Sequence, residues 1–182
     1  MEVEMKAMIE DIGAMRKNLE AKGAIFDGEA DQVDEYFKPE GFDQRPTGPG
    51  DWILRIRTSG KQKTLTIKVL TEIRGAWVEH ETGIDNEEQA RKIAETMGLV
   101  NVFTFNKRRL FGRMGEFEVL LDDVKELGKF MEIALESDEK EGARNRIIAF
   151  MKTLGIEEKA VERRGYGEIM GEKLGHKFER MK

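Results

Sequence analysis

The chain has 182 residues, enough for one domain with a sizeable core, and 37% of them are charged. Acidic residues outnumber basic ones 36 to 31, a net charge of −5, which argues against the basic surface of a non-specific nucleic-acid binder. The absence of cysteine excludes disulfides, thiolate zinc sites and cysteine nucleophiles. No apolar run approaches the ~20 residues of a membrane span, and the start MEVEMKAMIED lacks the apolar centre of a signal peptide, so a cytoplasmic protein without a membrane partner is expected.

Alternation predicts a first strand over Met1–Ala7. A helix follows from about Ile9 to Lys22, with Met8, Ile12, Met15 and Leu19 at helical spacing and Gly23 as its left-handed cap. An irregular strand runs from Ile25 to Phe37. All three prolines then fall between Lys38 and Asp51, which reads as a long mobile loop. Strands are expected at Trp52–Thr58, Lys63–Leu70 and Ala76–Gly83. Asp85 is the expected N-cap of a second helix, with Glu88 as its capping-box partner and Ala90, Ile93, Ala94 and Met97 on its apolar face. Three more strands follow, at Val100–Arg109, Glu116–Asp122 and Phe130–Leu135. A third helix spans Glu139 to Leu154, and short helical pieces are expected beyond Glu157. The pattern predicts an α+β fold: an eight-stranded antiparallel β-barrel with helices packed outside, in a single domain over 1–175 followed by a tail at 176–182.

Almost every strand carries one apolar and one ionic face. Val3 and Met5 oppose Glu2, Glu4 and Lys6; Leu54 and Ile56 oppose Arg55 and Arg57; Leu65, Ile67 and Val69 oppose Thr64, Thr66 and Lys68. Glu79 and Glu81 share a face with Trp77, and Lys107 and Arg109 continue that of Phe103 and Phe105. Val119 and Leu121 oppose Glu118 and Asp122, and Met131, Ile133 and Leu135 oppose Glu132. Two arrangements account for this. The ionic face can lie in water, or it can line a central tunnel with the apolar faces outward under the helices. In the tunnel the charges need partners across it, or a polyanion with metal ions. The cations Lys6, Arg55, Arg57, Lys68, Lys107 and Arg109 suit a triphosphate, and neighbouring carboxylates suit Mg²⁺ or Mn²⁺. Arg55 and Arg57 are expected to repel each other, so that removing Arg57 leaves stability unchanged or raises it.

The segments Glu2-Val3-Glu4-Met5-Lys6, QVDEYF (32–37), LRIR (54–57), LTIK (65–68), VEHE (78–81), NKRR (106–109) and LLDDVKELGKFMEI (120–133) resemble, in order, those of the CYTH superfamily, the triphosphate tunnel metalloenzymes. The likeness is nearest to class IV adenylate cyclase-like proteins and thiamine triphosphatases. It covers Met1 to Tyr166 and implies an eight-stranded triphosphate tunnel. It further implies metal ligation by Glu2, Glu4, Asp122 and Glu132, and phosphate binding by the six cations. Catalytic roles fall to Lys6, Glu79 and Glu81, the two glutamates holding metal, orienting a nucleophile or pairing with arginines. The implied partner is a small-molecule triphosphate, handled by a monomer or homodimer. The implied reaction is conversion of ATP to cyclic AMP and pyrophosphate; the alternatives are a triphosphatase and a non-catalytic polyphosphate- or nucleotide-binding module.

Two departures from the family stand out. The usual Glu-Ile-Glu reads Glu132-Ile133-Ala134 here, one carboxylate short, and Gly165 precedes Tyr166 where the family has serine. His80 and His176 lie too far apart in sequence to suggest a metal pair, and His80 alternates with Glu79 and Glu81, so it faces away from them. The glycines at 165, 167 and 171 do not form a dinucleotide fingerprint, because no strand leads into them.

Overall fold

The computed structural model describes residues 2–72 and 77–178, with the side chains of Glu2 and Lys140 outside that description. The strand starts expected at Met1 and Ala76 and the last residues of the tail fall outside it. The elements in chain order are β1 (Glu2–Met8), α1 (Ile12–Ala21), β2 (Ile25–Pro39), β3 (Trp52–Ser59), β4 (Gln62–Leu70) and β5 (Trp77–Gly83). Then come α2 (Glu87–Thr96), β6 (Leu99–Met114), β7 (Phe117–Val124), β8 (Gly128–Glu136), α3 (Lys140–Thr153), β9 (Val161–Glu162) and α4 (Tyr166–Lys173). The fold is α+β, as expected.

The strands hydrogen-bond in the order β5-β4-β3-β2-β6-β7-β8-β1-β9. The expected closed, eight-stranded barrel is therefore corrected, among the described residues, to an open order of nine strands, with β5 and β9 at its ends. The reason is local: Glu162 and Val161 pair antiparallel with Lys6 and Ala7, so β9 takes the free side of β1. Two residues carry no periodicity, and the pattern could not announce them.

The chain forms two compact units, one of residues 1–31 and 107–163, the other of 32–106 and 164–182. In the first, Val3, Met5, Val119, Leu121, Met131, Ile133 and Leu135 project from one face of β1, β7 and β8. They pack with Leu19 of α1 and with Ala143, Ile147 and Met151 of α3, all buried. In the second, Phe37, Leu54 and Ile56 pack with Ala94 of α2 and with Leu99. Apolar faces under helices leave the opposite faces of the strands to carry the charges.

Local differences from expectation have plain causes. The backbone N–H of Ile9 bonds Lys129, so α1 starts only at Ile12, capped by Asp11, whose carboxylate accepts from the Ala14 N–H at 2.6 Å. The cap of α2 is Asn86, accepting from the Gln89 N–H at 3.0 Å, rather than Asp85; this puts Glu87 and Glu88 in the first turn, where the helix dipole favours anions. β6 continues past Arg109 because Leu110 and Met114 pair with Leu121 and Phe117; Gly115, at φ 60°, then turns the chain into β7. Gly112 lies in this extension, where a Cβ would meet the Phe26 ring at 2.6 Å.

The proline-bearing segment expected to be a mobile loop is fastened instead. Arg45 forks onto Asp51 at 2.9 and 2.5 Å. The N–H of Thr47 donates to the Lys177 carbonyl at 2.9 Å. The Thr47 hydroxyl lies 2.6 Å from Nε2 of His176 and accepts from Lys38 Nζ at 3.2 Å. Burial, and then the charge on Lys38, hold the His176 pKa below its ordinary value, with Asp43 and Asp51 opposing. An unfolded histidine gains its proton near pH ~6.5, whereas the folded one resists until lower pH. Its contribution to stability is therefore complete above that pH and is lost as the pH falls through the folded value. The melting temperature is expected to drop between about pH 7.5 and 5.5, and His176→Gln to shrink that drop. An equal drop in both proteins would remove His176 from the fastening.

Candidate active site: two buried ionic clusters

The ionic faces are partly buried. In the first unit Lys6, Lys107, Arg109, Asp122 and Glu132 are all buried, Lys6 at 3% exposure and Asp122 at 0%. Register explains how they meet. Lys6 sits opposite Glu132, Glu4 opposite Ala134, and Arg109 opposite Asp122. Lys6 Nζ lies 3.6 Å from Glu132 and 3.7 Å from Glu4. Arg109 forks onto Asp122 at 2.7 and 2.6 Å and reaches Glu132 at 3.3 Å. Burial alone would lower the Lys6 pKa, but Glu132 and Glu4 together outweigh it and raise the value, so the ammonium stays charged at neutral pH.

The second unit carries its own cluster. Arg55, 5% exposed, donates through Nη2 to Thr66 Oγ1 and to Glu81 Oε2, each at 3.0 Å. The Thr66 hydroxyl donates to the same Glu81 oxygen at 2.7 Å. Arg57 forks onto Asp34 at 2.6 and 2.7 Å, and Lys68 meets Glu79 at 2.5 Å. Burial pushes the Glu81 carboxyl up, yet the Thr66 hydroxyl and Arg55 outweigh it and hold the pKa below the usual carboxylate value. His80 pairs in register with Ile67, on the face away from Glu79 and Glu81.

The expected site residues thus fall into two groups: Glu4, Lys6, Lys107, Arg109, Asp122 and Glu132 in one, and Arg55, Arg57, Lys68, Glu79 and Glu81 in the other. The backbone of Glu2 pairs with Glu136, and its side chain lies outside the description. Sequence reasoning set Thr66 on the ionic face without giving it a role, and it missed Asp34 and Glu162. Asp34 and Thr66 share the parity of the ionic face, a signal that was present; Glu162 belongs to a strand too short to read.

For a metal the donor chemistry is uneven. Among the described residues no group of three or more His, Asp or Glu side chains converges to hold one. Both Asp122 oxygens face the Arg109 guanidinium in full burial, which makes Asp122 that arginine's counter-ion. Glu4, with its side chain 44% exposed, and Glu132 remain oxygen donors of the kind Mg²⁺ takes, since that ion completes its shell with water and phosphate oxygens. Ala134, buried where the family resemblance implies a carboxylate, lies in register between Glu4 on β1 and Glu118 on β7.

The CYTH domain model matches residues 1–166, and the chain belongs to the CYTH family. A curated protein of Methanocaldococcus jannaschii, "Putative adenylate cyclase", is 29% identical over 175 residues, covering 93% of this chain and 98% of its own. A conserved hypothetical protein of Pyrococcus furiosus is similar in structure, with a TM-score of 0.80 at 27% identity over 92% of this chain and 99% of its own. A Hippeastrum protein described as an adenylyl cyclase with a dominant triphosphatase activity has a TM-score of 0.68 at 19% identity, over 97% of each chain. The last is a likeness of fold.

The pairing of Arg57 with buried Asp34 corrects the expected repulsion from Arg55. Arg57→Ala takes the bidentate partner from a carboxylate whose side chain is 2% exposed. The variant should lose about 3–5 kcal/mol of stability, as when one partner of a buried pair is removed. Urea unfolding of Arg57→Ala, of Asp34→Asn and of the double variant measures this. The double loss should be clearly smaller than the sum of the single ones; additive losses would show that the two groups are not coupled.

Proposed function

We propose that the chain is a divalent-metal-dependent enzyme acting on a triphosphate, and that it cyclises a nucleoside triphosphate with release of pyrophosphate. The observation that carries this reading is the burial of Lys6, Arg55, Lys107 and Arg109, each less than a tenth exposed. Buried charges stabilise a fold less well than apolar residues of the same size, so four such cations are retained for a polyanion. The name of the Methanocaldococcus relative supports the cyclase form.

In this reading Lys6, Lys107 and Arg109 of the first unit, and Arg55, Arg57 and Lys68 of the second, are the candidate donors to phosphate oxygens. The arginines offer planar forks and the lysines point charges. Glu2, Glu4 and Glu132 would hold Mg²⁺ or Mn²⁺, which polarises the phosphoryl oxygens. Glu79 and Glu81 orient the attacking hydroxyl. Glu81 is suited to this because its carboxyl stays ionised and its side chain is 47% exposed. The residues position and neutralise, and no covalent intermediate on the protein is needed.

A triphosphatase is the second reading. A carboxylate that orients a ribose hydroxyl can orient water as well, and the Hippeastrum neighbour's described activity points the same way. Incubation with ATP, thiamine triphosphate or tripolyphosphate, with Mg²⁺ or Mn²⁺, separates the readings. Cyclic AMP with pyrophosphate from ATP marks the cyclase; inorganic phosphate together with the matching diphosphate (ADP, thiamine diphosphate, or pyrophosphate from tripolyphosphate) and no cyclic AMP marks the triphosphatase. Binding without turnover marks the non-catalytic module.

Ala134 generates a sharper expectation. A glutamate there would stand between Glu4 and Glu118, adding the missing oxygen donor beside two carboxylates. Wild-type activity in Mg²⁺ should be low. Ala134→Glu should raise turnover at limiting metal about tenfold, or ~1.4 kcal/mol in the barrier. Initial rates against metal concentration for both proteins provide the check, and identical metal dependence would mean that the absent carboxylate is irrelevant.

A further inference from the structure

Alternation puts Tyr36 and Lys38 on the same side of β2 as Asp34, the carboxylate that grips Arg57. The Tyr36 ring meets those of Phe103 at 5.0 Å and Phe105 at 5.7 Å, so these two residues of β6 look onto the ionic face of the second unit. α4 rests on the same rings. The Tyr166 ring is 6.2 Å from that of Phe105, and a Cβ on Gly167 would stand 3.4 Å from Phe103. A Cβ on Gly165 would stand 4.0 Å from Nε1 of Trp77, which has the parity of Glu79 and Glu81 on β5. α4 thus crosses one end of the face, from β5 to β6.

Beyond α4 the chain turns at Gly175, at φ 84°, and the His176 N–H donates to the Gly171 carbonyl at 2.8 Å. The Phe178 ring packs on Gly171, where a Cβ would meet it at 2.9 Å. His176 keeps ring contacts with Phe42 and Phe178, both at 5.2 Å. Its Nε2 lies 2.6 Å from Thr47 Oγ1, and Lys38 Nζ donates to that same oxygen at 3.2 Å.

The shared oxygen makes this contact sensitive to charge. A neutral imidazole matches the hydroxyl whichever nitrogen holds its proton. An imidazolium can only donate, so two cations would then aim at one oxygen beside two aromatic rings. The nearby anions give little relief. Asp51 is forked by Arg45 and also accepts from the Gly48 N–H at 2.8 Å. Asp43 is exposed, and the adjacent Lys177 is a further exposed cation. Burial and Lys38 accordingly hold the His176 pKa down against Asp43 and Asp51. The Lys38 pKa is itself lowered, by burial and by Arg45, with Asp51 opposing.

We infer that α4 and the residues after it form a strap across this end of the ionic face, held down while His176 is neutral and released when His176 takes a proton. Release frees the rings that pack on Tyr36, the residue opposite Arg55, so proton concentration sets how often this end of the face opens.

Amide hydrogen exchange at about pH 7.5 and 5.5, corrected for the intrinsic pH dependence of exchange, tests this on the whole chain without ligand. The amides to follow are Thr47, which bonds Lys177, and Leu174 and His176, which bond Met170 and Gly171. A released histidine that titrates at ~6.5, against a latched one that stays neutral, changes the opening equilibrium by up to about tenfold over that range. Wild-type protection at these amides should fall by that order at the lower pH, while β3 and β4 keep theirs. His176→Gln, whose amide oxygen can still accept from Thr47 and takes no proton, should show no such fall. Lys38→Met, which removes the like charge, should show a smaller one. No fall in the wild type, an equal fall in His176→Gln, or a fall shared equally by β3 and β4 overturns the strap. The wild-type comparison does not depend on either variant folding.

Discussion

The structure depends on strand register bringing cations of the ionic faces opposite carboxylates. An ammonium or guanidinium taken out of water needs a partner at contact distance, and the low-dielectric surroundings make a misplaced one intolerable. Lys6 is opposite Glu132, and Arg109 is opposite Asp122. Arg57 is opposite Asp34, and Lys68 is opposite Glu79. A slip of one residue in any of these ladders would move the ions into the apolar core and the core residues into the ionic face. The charges therefore specify register as firmly as the apolar residues do.

The carboxylates fall into two kinds. Asp34 and Asp122 are wholly buried and grip their arginines with both oxygens, which fixes the planes of those guanidinium groups. The side chains of Glu4, Glu79 and Glu81 are 44%, 41% and 47% exposed, and each meets its cation from the open side. A phosphate reaching Lys68 or Arg55 competes with Glu79 or Glu81, whereas Asp34 and Asp122 stay with the arginines they hold in place. One short side chain and one long one thus divide the work between rigid support and exchange.

Much of this was legible in the sequence. Alternation placed Leu54, Ile56, Val119, Leu121 and Ile133 in the cores, and it set Arg55, Arg57, Lys6 and Glu132 on the other face. It could not decide whether that face met water, because period-two patterning records which residues share a side and not what covers them. Val161 and Glu162 were illegible because two residues carry no period, and they changed the strand order. Asp34 was legible by parity yet was passed over, since QVDEYF reads first as a strand. The fastening of the proline-bearing segment depends on Thr47 meeting His176, residues far apart in the chain, and no local signal carries such a contact.

The central claim is that the buried cations serve a polyanion. Thermal unfolding measured against tripolyphosphate concentration in Mg²⁺, with sodium sulfate matched for ionic strength as the control, tests it most directly. Ligand that binds only the folded chain stabilises it by about 2.7 kcal/mol at ~100 times its dissociation constant, so the melting temperature should rise steadily with tripolyphosphate, well beyond the sulfate control. A melting temperature that does not move, or that moves only as far as it does in sulfate, would contradict the account.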